Sequence, residues 1–304
     1  MLQTFSEKNR DLIVYINGEL VHRDKAGVSP FDSAVQNGDA VWEGLRLYDG
    51  RVFRLEQHLD RLFKGAELLA YEGLPTREAV TDALRQTLEA NGMRDGVHIR
   101  LTLSRGVKYT SGLDPRINQR GCSLFVLAEH KPPVYSKAGI TLATATVRRP
   151  FADVLNQHIH SCNQLTSILA KLQATAAGAD DALLLDTRGN LAETNATHLF
   201  FIKDGLVRTP TTDACPEGIT RAAVLQICQR HGVPHEVGHF PAQRLHEADA
   251  VFVTGTMGEI VPVTRIDQTG FPGSTSGPGA ELIDRLASLF EQCTADPSEG
   301  TSLV

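Results

Sequence analysis

Three potential metal ligands stand at alternate positions near the middle of the chain. His158, His160 and Cys162 occupy positions i, i+2 and i+4, so an extended segment would place all three on one face. Two imidazoles and a thiolate suit zinc or copper. The sequence identifies no fourth ligand and no carboxylate that would orient the histidines. We therefore favour polar residues that line a pocket over a metal site.

A second pattern, residues 235–239, matches the HExxH signature of zinc proteases. That chemistry needs both histidines on one helical face, one turn apart. Here Pro234 precedes the pattern, Gly238 interrupts it and Pro241 follows it. Because proline and glycine disfavour a helix, the segment is predicted to be extended, and we reject the zinc-protease interpretation.

The elements that must position such residues are a mixture of helices and strands. Asn17-Gly18 and Asp49-Gly50 predict two hairpins, and apolar spacing predicts a helix over 57–70. Strand and helix patterns alternate again in the second half. The fold class is therefore α+β, and a purely parallel doubly wound sheet is not expected. Two prolines without periodicity mark a linker at 131–140, between a small domain, 1–130, and a larger one, 141–304.

Composition limits the classes of partner and the compartment. The chain has 304 residues, with 30 basic and 36 acidic side chains and a net charge of −6, which does not favour nucleic-acid binding. No apolar run approaches the ~18 residues of a membrane span, and the N-terminus does not resemble a signal peptide. Five cysteines without a CxxC pattern predict reduced thiols. We expect a cytoplasmic protein.

Five groups of segments follow one another in a fixed order along the chain. They are GDAVWEGLRLYDGRVFRLEQHLDRL, HIRLTLSRG, SCNQLTSILAKLQA, LAETNATHLFFIKDG with CPEGITRAAV, and VFVTGTMGEIVPV. Together, from about Val14 to Asp267, they resemble one enzyme family, the class IV aminotransferases, which include branched-chain and D-amino-acid aminotransferases and aminodeoxychorismate lyase. The resemblance implies fold-type IV of the pyridoxal-phosphate enzymes, with a small N-terminal α/β domain, a larger C-terminal domain, the cofactor in the cleft and a homodimer.

The resemblance assigns cofactor-binding roles to residues that suit pyridoxal 5'-phosphate or pyridoxamine 5'-phosphate. Glu193 corresponds to the carboxylate that faces the pyridine nitrogen and keeps it protonated. A guanidinium fork and the first N–H groups of a helix are good phosphate ligands. The residues expected at the phosphate are Arg61, Gly218, Ile219, Thr220, Gly255 and Thr256.

On the substrate side, the resemblance points to Trp42 as an aromatic wall and to Arg100 as a carboxylate-binding residue, while Met257 would line the pocket. Each of the first two also has a structural interpretation, as a core tryptophan and a strand-edge arginine. The expected substrate is a small amino or keto acid, and neither its identity nor its stereochemistry follows from the sequence.

The catalytic position departs from the family pattern. Counting back three residues from Asn163, where relatives carry the Schiff-base lysine, gives His160. An imidazole cannot replace the covalent role of that lysine, but it can act as a general base. Three hypotheses follow: an enzyme that binds the cofactor noncovalently and uses His160, with Glu193, in transamination or lyase chemistry; an enzyme with cofactor-independent acid–base or metal-assisted chemistry; and a catalytically silent binding protein. The retained cofactor residues favour the first.

Overall fold

The structure, a computed structural model, describes residues 4–304. No helix among these residues is both long enough and apolar enough to cross a membrane. The α-helices are α1 (Ser33–Asn37), α2 (Leu55–Leu68), α3 (Arg77–Ala90), α4 (Leu165–Ala176), α5 (Ile219–Arg230) and α6 (Gly277–Ala295). The strands are β1 (Ile13–Ile16), β2 (Glu19–His22), β3 (Ala40–Tyr48), β4 (Arg51–Phe53), β5 (Val97–Ser104), β6 (Ser123–His130), β7 (Ile140–Arg149), β8 (Asp181–Asp186), β9 (Leu191–Thr194), β10 (His198–Lys203), β11 (Leu206–Pro210), β12 (His235–Gly238), β13 (Ala250–Gly255), β14 (Glu259–Ile266), β15 (Thr269–Gly270) and β16 (Gly300–Ser302).

Residue contacts divide the described chain into two compact units. The N-terminal unit contains residues 4–132, 159–163 and 294–304, and the central unit contains 133–158 and 164–293. The first change of unit falls inside the segment 131–140, where the prolines indicate a linker. The return of two later segments to the N-terminal unit is not evident from sequence, because it depends on long-range pairing: β16 pairs with β4, and residues 160–162 bond to β3.

The N-terminal unit is built on an antiparallel sheet of seven strands, in the order β16-β4-β3-β5-β6-β1-β2. Both predicted hairpins are present, β1–β2 around Asn17-Gly18 and β3–β4 around Asp49-Gly50. Along β3, alternate side chains point into the core, as the period of a strand requires. Helix α2 packs against β3, and α3 packs against β6. This sheet therefore has one face covered by helices.

The central unit contains a second sheet, in the order β12-β11-β10-β13-β14-β7-β8-β9, with β15 paired to β14. It is mixed: β11–β12, β14–β7 and β7–β8 are parallel, and the other pairs are antiparallel. Helix α4 packs on β7 and β8, and α5 packs on β13. The α+β class is confirmed. The HExxH segment forms strand β12, paired to β11, which confirms that it is extended.

The N-terminal unit contains a histidine whose protonation opposes folding. His98 lies on β5 opposite Arg46, and burial, together with Lys131, Arg100 and Arg46, lowers its pKa from 6.5 to about 4. The unfolded chain takes up this proton below pH 6.5 while the folded chain does not, so stability is full above pH 6.5 and declines toward pH 4.

We expect His98→Gln to remove about 2 kcal/mol of the stability difference between pH 7.5 and pH 5.0. Urea unfolding followed by the fluorescence of Trp42 checks this, since the chain has one tryptophan and it lies in the same unit. An equal loss of stability on acidification in the parent and the variant would contradict the assignment.

Candidate functional site

A buried carboxylate organises the N-terminal unit around α2 and β3. Glu43 occupies an inward position of β3 and is fully buried. Arg61 of α2 donates Nε to Oε1 at 2.8 Å and Nη2 to Oε2 at 2.7 Å. The Nδ1 atom of His58 lies 2.6 Å from Oε2, and Nδ1 of His160 lies 3.3 Å from Oε1. Two guanidinium and two imidazole nitrogens thus surround one carboxylate.

The charges in this group are fixed by burial and by neighbours. Burial by itself would raise the pKa of Glu43, but Arg61 and the two histidines hold it well below its ordinary value. Burial lowers the pKa of His160, and Arg61 lowers it further. The pKa of His58 is lowered for the same first reason. At neutral pH the group therefore contains an ionised carboxylate, one guanidinium and two neutral imidazoles.

His160 is held by its backbone as well as by its ring. Trp42 N donates to His160 O at 3.0 Å, and Cys162 N donates to Ala40 O at 2.8 Å. These bonds attach the segment 159–163 to β3, the strand that carries Glu43. The His160 ring lies against the Trp42 ring, with centroids 4.5 Å apart and planes at 31°. The imidazole is therefore held on two sides.

Two of the predicted substrate residues, Trp42 and Arg100, lie beside the segment that carries His160. The Arg100 guanidinium stacks over the Trp42 ring at 4.0 Å, and its Nη2 contacts Cys162 Sγ at 3.7 Å. The indole Nε1–H of Trp42 is buried, with no hydrogen-bond partner among the described residues. We call this group the His160 cluster: Trp42, Glu43, His58, Arg61, Arg100, His160 and Cys162.

A second polar group lies in the central unit at the other predicted cofactor residues. Glu193, on β9, pairs with Arg149 at 2.8 Å between Oε1 and Nε. One ligand atom each of Glu193, His198 and Cys215 lie within 4.8 Å of one another. Burial raises the pKa of the Cys215 thiol well above its ordinary value, and Glu193 raises it further. The thiol is therefore protonated beside a paired carboxylate.

The predicted phosphate residues of the central unit stand at the ends of two elements. Gly218 is the N-cap of α5, followed by Ile219 and Thr220, and no side chain caps the first turn. A helix start of this kind offers N–H groups and a positive dipole end to an anion. The residues 255–257 lie at and after the end of β13, where the buried hydroxyl of Thr254 has no partner among the described residues.

The structure does not assemble the metal ligands considered from sequence. Within residues 4–304, the only group of three His, Cys, Asp or Glu side chains close enough to share an ion is Glu193, His198 and Cys215. His158 belongs to the central unit, whereas 160 and 162 belong to the N-terminal unit. The alternate spacing of the three residues therefore does not mark one group of ligands.

Comparison with known proteins identifies the family. The model of the family "Amino-transferase class IV" matches residues 40–266, a span that includes both polar groups. The chain belongs to the class IV aminotransferases. The predicted family is thus confirmed.

Individual relatives show the same relationship. "Branched-chain-amino-acid aminotransferase-like protein 2" of Arabidopsis thaliana is 46% identical over 288 residues, which cover 94% of this chain and 51% of that protein. A putative branched-chain-amino-acid aminotransferase of Methanocaldococcus jannaschii is 40% identical over 255 residues, 84% of this chain and 88% of that one. The chain thus spans about half the length of the Arabidopsis relative and most of the archaeal one.

A solved structure has the same fold as this class IV aminotransferase. The T.th. branched-chain amino acid aminotransferase complexed with N-(5'-phosphopyridoxyl)-L-glutamate has a TM-score of 0.88 and 30% identity, covering 97% of this chain and 99% of that one. The fold-type IV architecture predicted from the ordered segments is confirmed.

Several residues that lie beside the predicted site residues are not indicated by the sequence analysis. They are Glu43, His58, Arg149, His198 and Cys215. One signal was present for Glu43: β3 alternates apolar residues with outward ones, and Glu43 falls in the apolar register. A carboxylate at an inward position needs a buried partner, and no equivalent local signal marks the other four residues.

The start of α5 depends on the absence of a side chain at Gly218. A Cβ atom at this position would overlap the His198 ring. We expect Gly218→Ala to destabilise the protein by about 1–3 kcal/mol, because overpacking forces the ring to move. Gly270→Ala, in the same unit and with open space around it, is the matched control.

Thermal unfolding of these two variants, of His198→Ala and of the double variant Gly218→Ala/His198→Ala checks this conflict. Removal of the imidazole should relieve the overlap. The double variant should therefore be destabilised by less than the sum of the losses caused by Gly218→Ala and His198→Ala. Strictly additive effects would show that His198 does not pack on Gly218.

Proposed function

We propose that this class IV aminotransferase binds pyridoxal 5'-phosphate or pyridoxamine 5'-phosphate noncovalently and acts on a small amino or keto acid. The observation that carries the proposal is the placement of His160. The residue three positions before Asn163, where the resemblance expects the Schiff-base lysine, is an imidazole held against an ionised Glu43. Transamination and lyase chemistry both require proton transfer at this position.

The donor set of the central unit suits such a cofactor. Glu193 would hold the pyridine nitrogen, and its pairing with Arg149 at 2.8 Å favours an ionised carboxylate, which a protonated ring nitrogen needs. Gly218, Ile219 and Thr220 would bind phosphate through the start of α5. Gly255 and Thr256 would complete the phosphate contacts. The T.th. enzyme has also been solved with pyridoxamine 5'-phosphate, which supports the choice of cofactor.

Arg61, Trp42 and Arg100 would supply the remaining contacts. Arg61 is the phosphate arginine expected from the resemblance, and its pairing with Glu43 fixes its orientation. Trp42 and Arg100 form a stacked pair that offers an aromatic surface and a cation to a substrate carboxylate, and Met257 would line the substrate pocket. The substrate is accordingly a small carboxylic acid that carries an amino or keto group.

The chain's own residues would handle the proton. When bound, the cofactor supplies an electron-accepting ring for chemistry at the α-carbon of an amino acid. A neutral His160 can take a proton, and the nearby Glu43 carboxylate stabilises the imidazolium that results. Without the lysine, the covalent exchange that normally speeds substrate entry is lost. We therefore expect slow turnover compared with enzymes that retain the lysine.

One observation favours a second candidate, a metal-assisted reaction that does not use the cofactor. Glu193, His198 and Cys215 place a carboxylate, an imidazole and a thiol within reach of one ion, a set that suits zinc. Arg149 beside Glu193 opposes a cation there. Calorimetric titration with Zn²⁺ separates the cofactor-dependent reaction from the metal-assisted one. The metal is favoured if the parent chain binds Zn²⁺ but no cofactor, and if Cys215→Ser abolishes the binding of Zn²⁺.

A row of apolar residues on α4 supports the homodimer that the resemblance implies. Ala170 and Ala174 are buried against β7 and β8. The outward residues remain between 41% and 66% exposed and follow helical spacing, so they form one stripe. An apolar stripe of this kind on a soluble protein is a common site of self-association. The stripe is Leu165, Ile168, Leu169 and Leu172.

The cofactor proposal is tested with the purified chain and pyridoxal 5'-phosphate. We expect the cofactor to bind in equilibrium dialysis, and no lysine to carry a covalent adduct after borohydride treatment and mass spectrometry. In His160→Lys, residue 160 should carry the adduct, and transamination of a responsive amino acid should rise by at least about tenfold.

His160→Gln is the matched control, because it has neither an amine nor a basic ring. It should bind the cofactor and show no adduct. A lysine adduct in the parent chain would contradict the role of His160, and absence of binding in all three proteins would reject the cofactor.

The dimer is tested by light scattering after size-exclusion chromatography. We expect the parent chain to have twice its chain mass of 33.1 kDa, and Leu172→Glu to be monomeric, because a buried charge at the stripe would be unpaired. Gln229→Glu, on the exposed side of α5, should stay dimeric. A parent monomer, or a dimer unaffected by Leu172→Glu, would contradict this interface.

A further inference from the structure

The two oxygens of Glu43 determine which nitrogen of each neighbouring histidine carries the proton. An ionised carboxylate accepts hydrogen bonds and cannot donate them. Both His58 and His160 face it through Nδ1, at 2.6 Å and 3.3 Å. For each ring to make a favourable contact, Nδ1 must be the protonated nitrogen. The lone pair of a neutral His160 is then on Nε2.

Arg61 keeps this arrangement stable. Its fork donates one hydrogen bond to each oxygen of Glu43, at 2.8 Å and 2.7 Å, and neutralises a charge that would otherwise be buried alone. It also opposes protonation of His160 by its own charge. The carboxylate therefore remains an acceptor, and the ring remains neutral until a proton arrives.

The surroundings of the His160 ring disfavour a half-turn of the ring that would move Nδ1 away from Glu43. The backbone of residues 160 and 162 is bonded to β3, and the Trp42 ring lies 4.5 Å from the imidazole centroid. A rotation of the ring by half a turn would replace the Nδ1–H contact with Glu43 by a C–H contact. Such a flip leaves a buried carboxylate oxygen with one partner fewer, which costs free energy.

We infer that Glu43 is a positioning residue, which fixes His160 as the Nδ1–H tautomer and presents Nε2 as the proton acceptor. The catalytic part of this inference rests on the proposed function, because only a reacting substrate uses Nε2. The tautomer itself does not, since it is a property of the chain without any ligand.

The tautomer is tested by ¹H–¹⁵N correlation NMR of the ligand-free, full chain with ¹⁵N-labelled histidine. The chain has 11 histidines, and His160→Gln and His58→Gln identify the two signals. We expect both rings to be neutral Nδ1–H tautomers at pH 7.5. In Glu43→Gln, the amide keeps one acceptor oxygen and gains one donor nitrogen, so whichever of His58 and His160 faces the nitrogen should shift toward the Nε2–H form.

Glu43→Asp and His58→Gln keep the measurement interpretable if Glu43→Gln folds poorly. Both retain a carboxylate beside His160, so the Nδ1–H tautomer should persist in whichever of them folds. A parent chain with His160 as the Nε2–H tautomer, or a folded Glu43→Gln in which neither His58 nor His160 changes its tautomer, would overturn the inference.

The catalytic consequence is measured in single turnovers of the chain loaded with pyridoxamine 5'-phosphate and mixed with a keto acid. At a saturating concentration of the cofactor, we expect Glu43→Gln to lower the rate by about 10²-fold or more. His58→Gln should lower the rate much less, because Glu43 and His160 keep their contact.

These outcomes separate the inference from the proposed function. Absence of turnover in the parent chain would reject the function while the NMR result still decides the tautomer. A Glu43→Gln variant that has the altered tautomer but the parent rate would show that Glu43 does not position a reacting group, and would overturn the catalytic part.

Discussion

The arrangement of the candidate site in the N-terminal unit depends on the burial of one carboxylate. Glu43 is fully buried, and its charge is balanced by Arg61 and by hydrogen bonds from two histidines. Removal of one partner from a buried ion pair costs about 3–5 kcal/mol. The same interaction therefore stabilises α2 on β3 and fixes the ring of His160. The contacts of the Glu43 carboxylate thus serve both the stability of the N-terminal unit and the proposed chemistry.

The polar residues of the two units differ in kind. The N-terminal unit contributes the guanidinium group of Arg61 and the imidazole of His160, both in contact with the Glu43 carboxylate. The central unit contributes a paired carboxylate at Glu193 and a helix start at Gly218, which suit a ring nitrogen and a phosphate. These features support the proposal that the chain binds the cofactor and that His160 stands where the resemblance expects the lysine.

Much of the fold follows from local sequence. The hairpins at Asn17-Gly18 and Asp49-Gly50 and the extended HExxH segment were predictable, because turn residues and helix breakers act over a few positions. The family followed from ordered motifs. What local patterns did not reveal was the return of residues 159–163 to β3, since hydrogen bonds between distant segments leave no short-range periodicity.

The candidate site was predictable to the same extent. The sequence identified Trp42, Arg61, Arg100 and His160 individually. It did not identify Glu43, the carboxylate that contacts both Arg61 and His160. Glu43 has a signal only when its inward register on β3 is considered. Glu193, His198 and Cys215 come from three separate segments, so no regular spacing in the sequence marks them as neighbours. Residues 158, 160 and 162 do have a regular spacing, yet they do not form one group of ligands.

The most direct test of the account is a crystal structure of the full chain grown with pyridoxal 5'-phosphate. We predict electron density for the cofactor beside Glu193 and the start of α5, with no covalent link to any lysine, and with the His160 ring bonded to Glu43 through Nδ1. A cofactor joined to a lysine, or a His160 ring that does not contact Glu43 through Nδ1, would contradict the central claim.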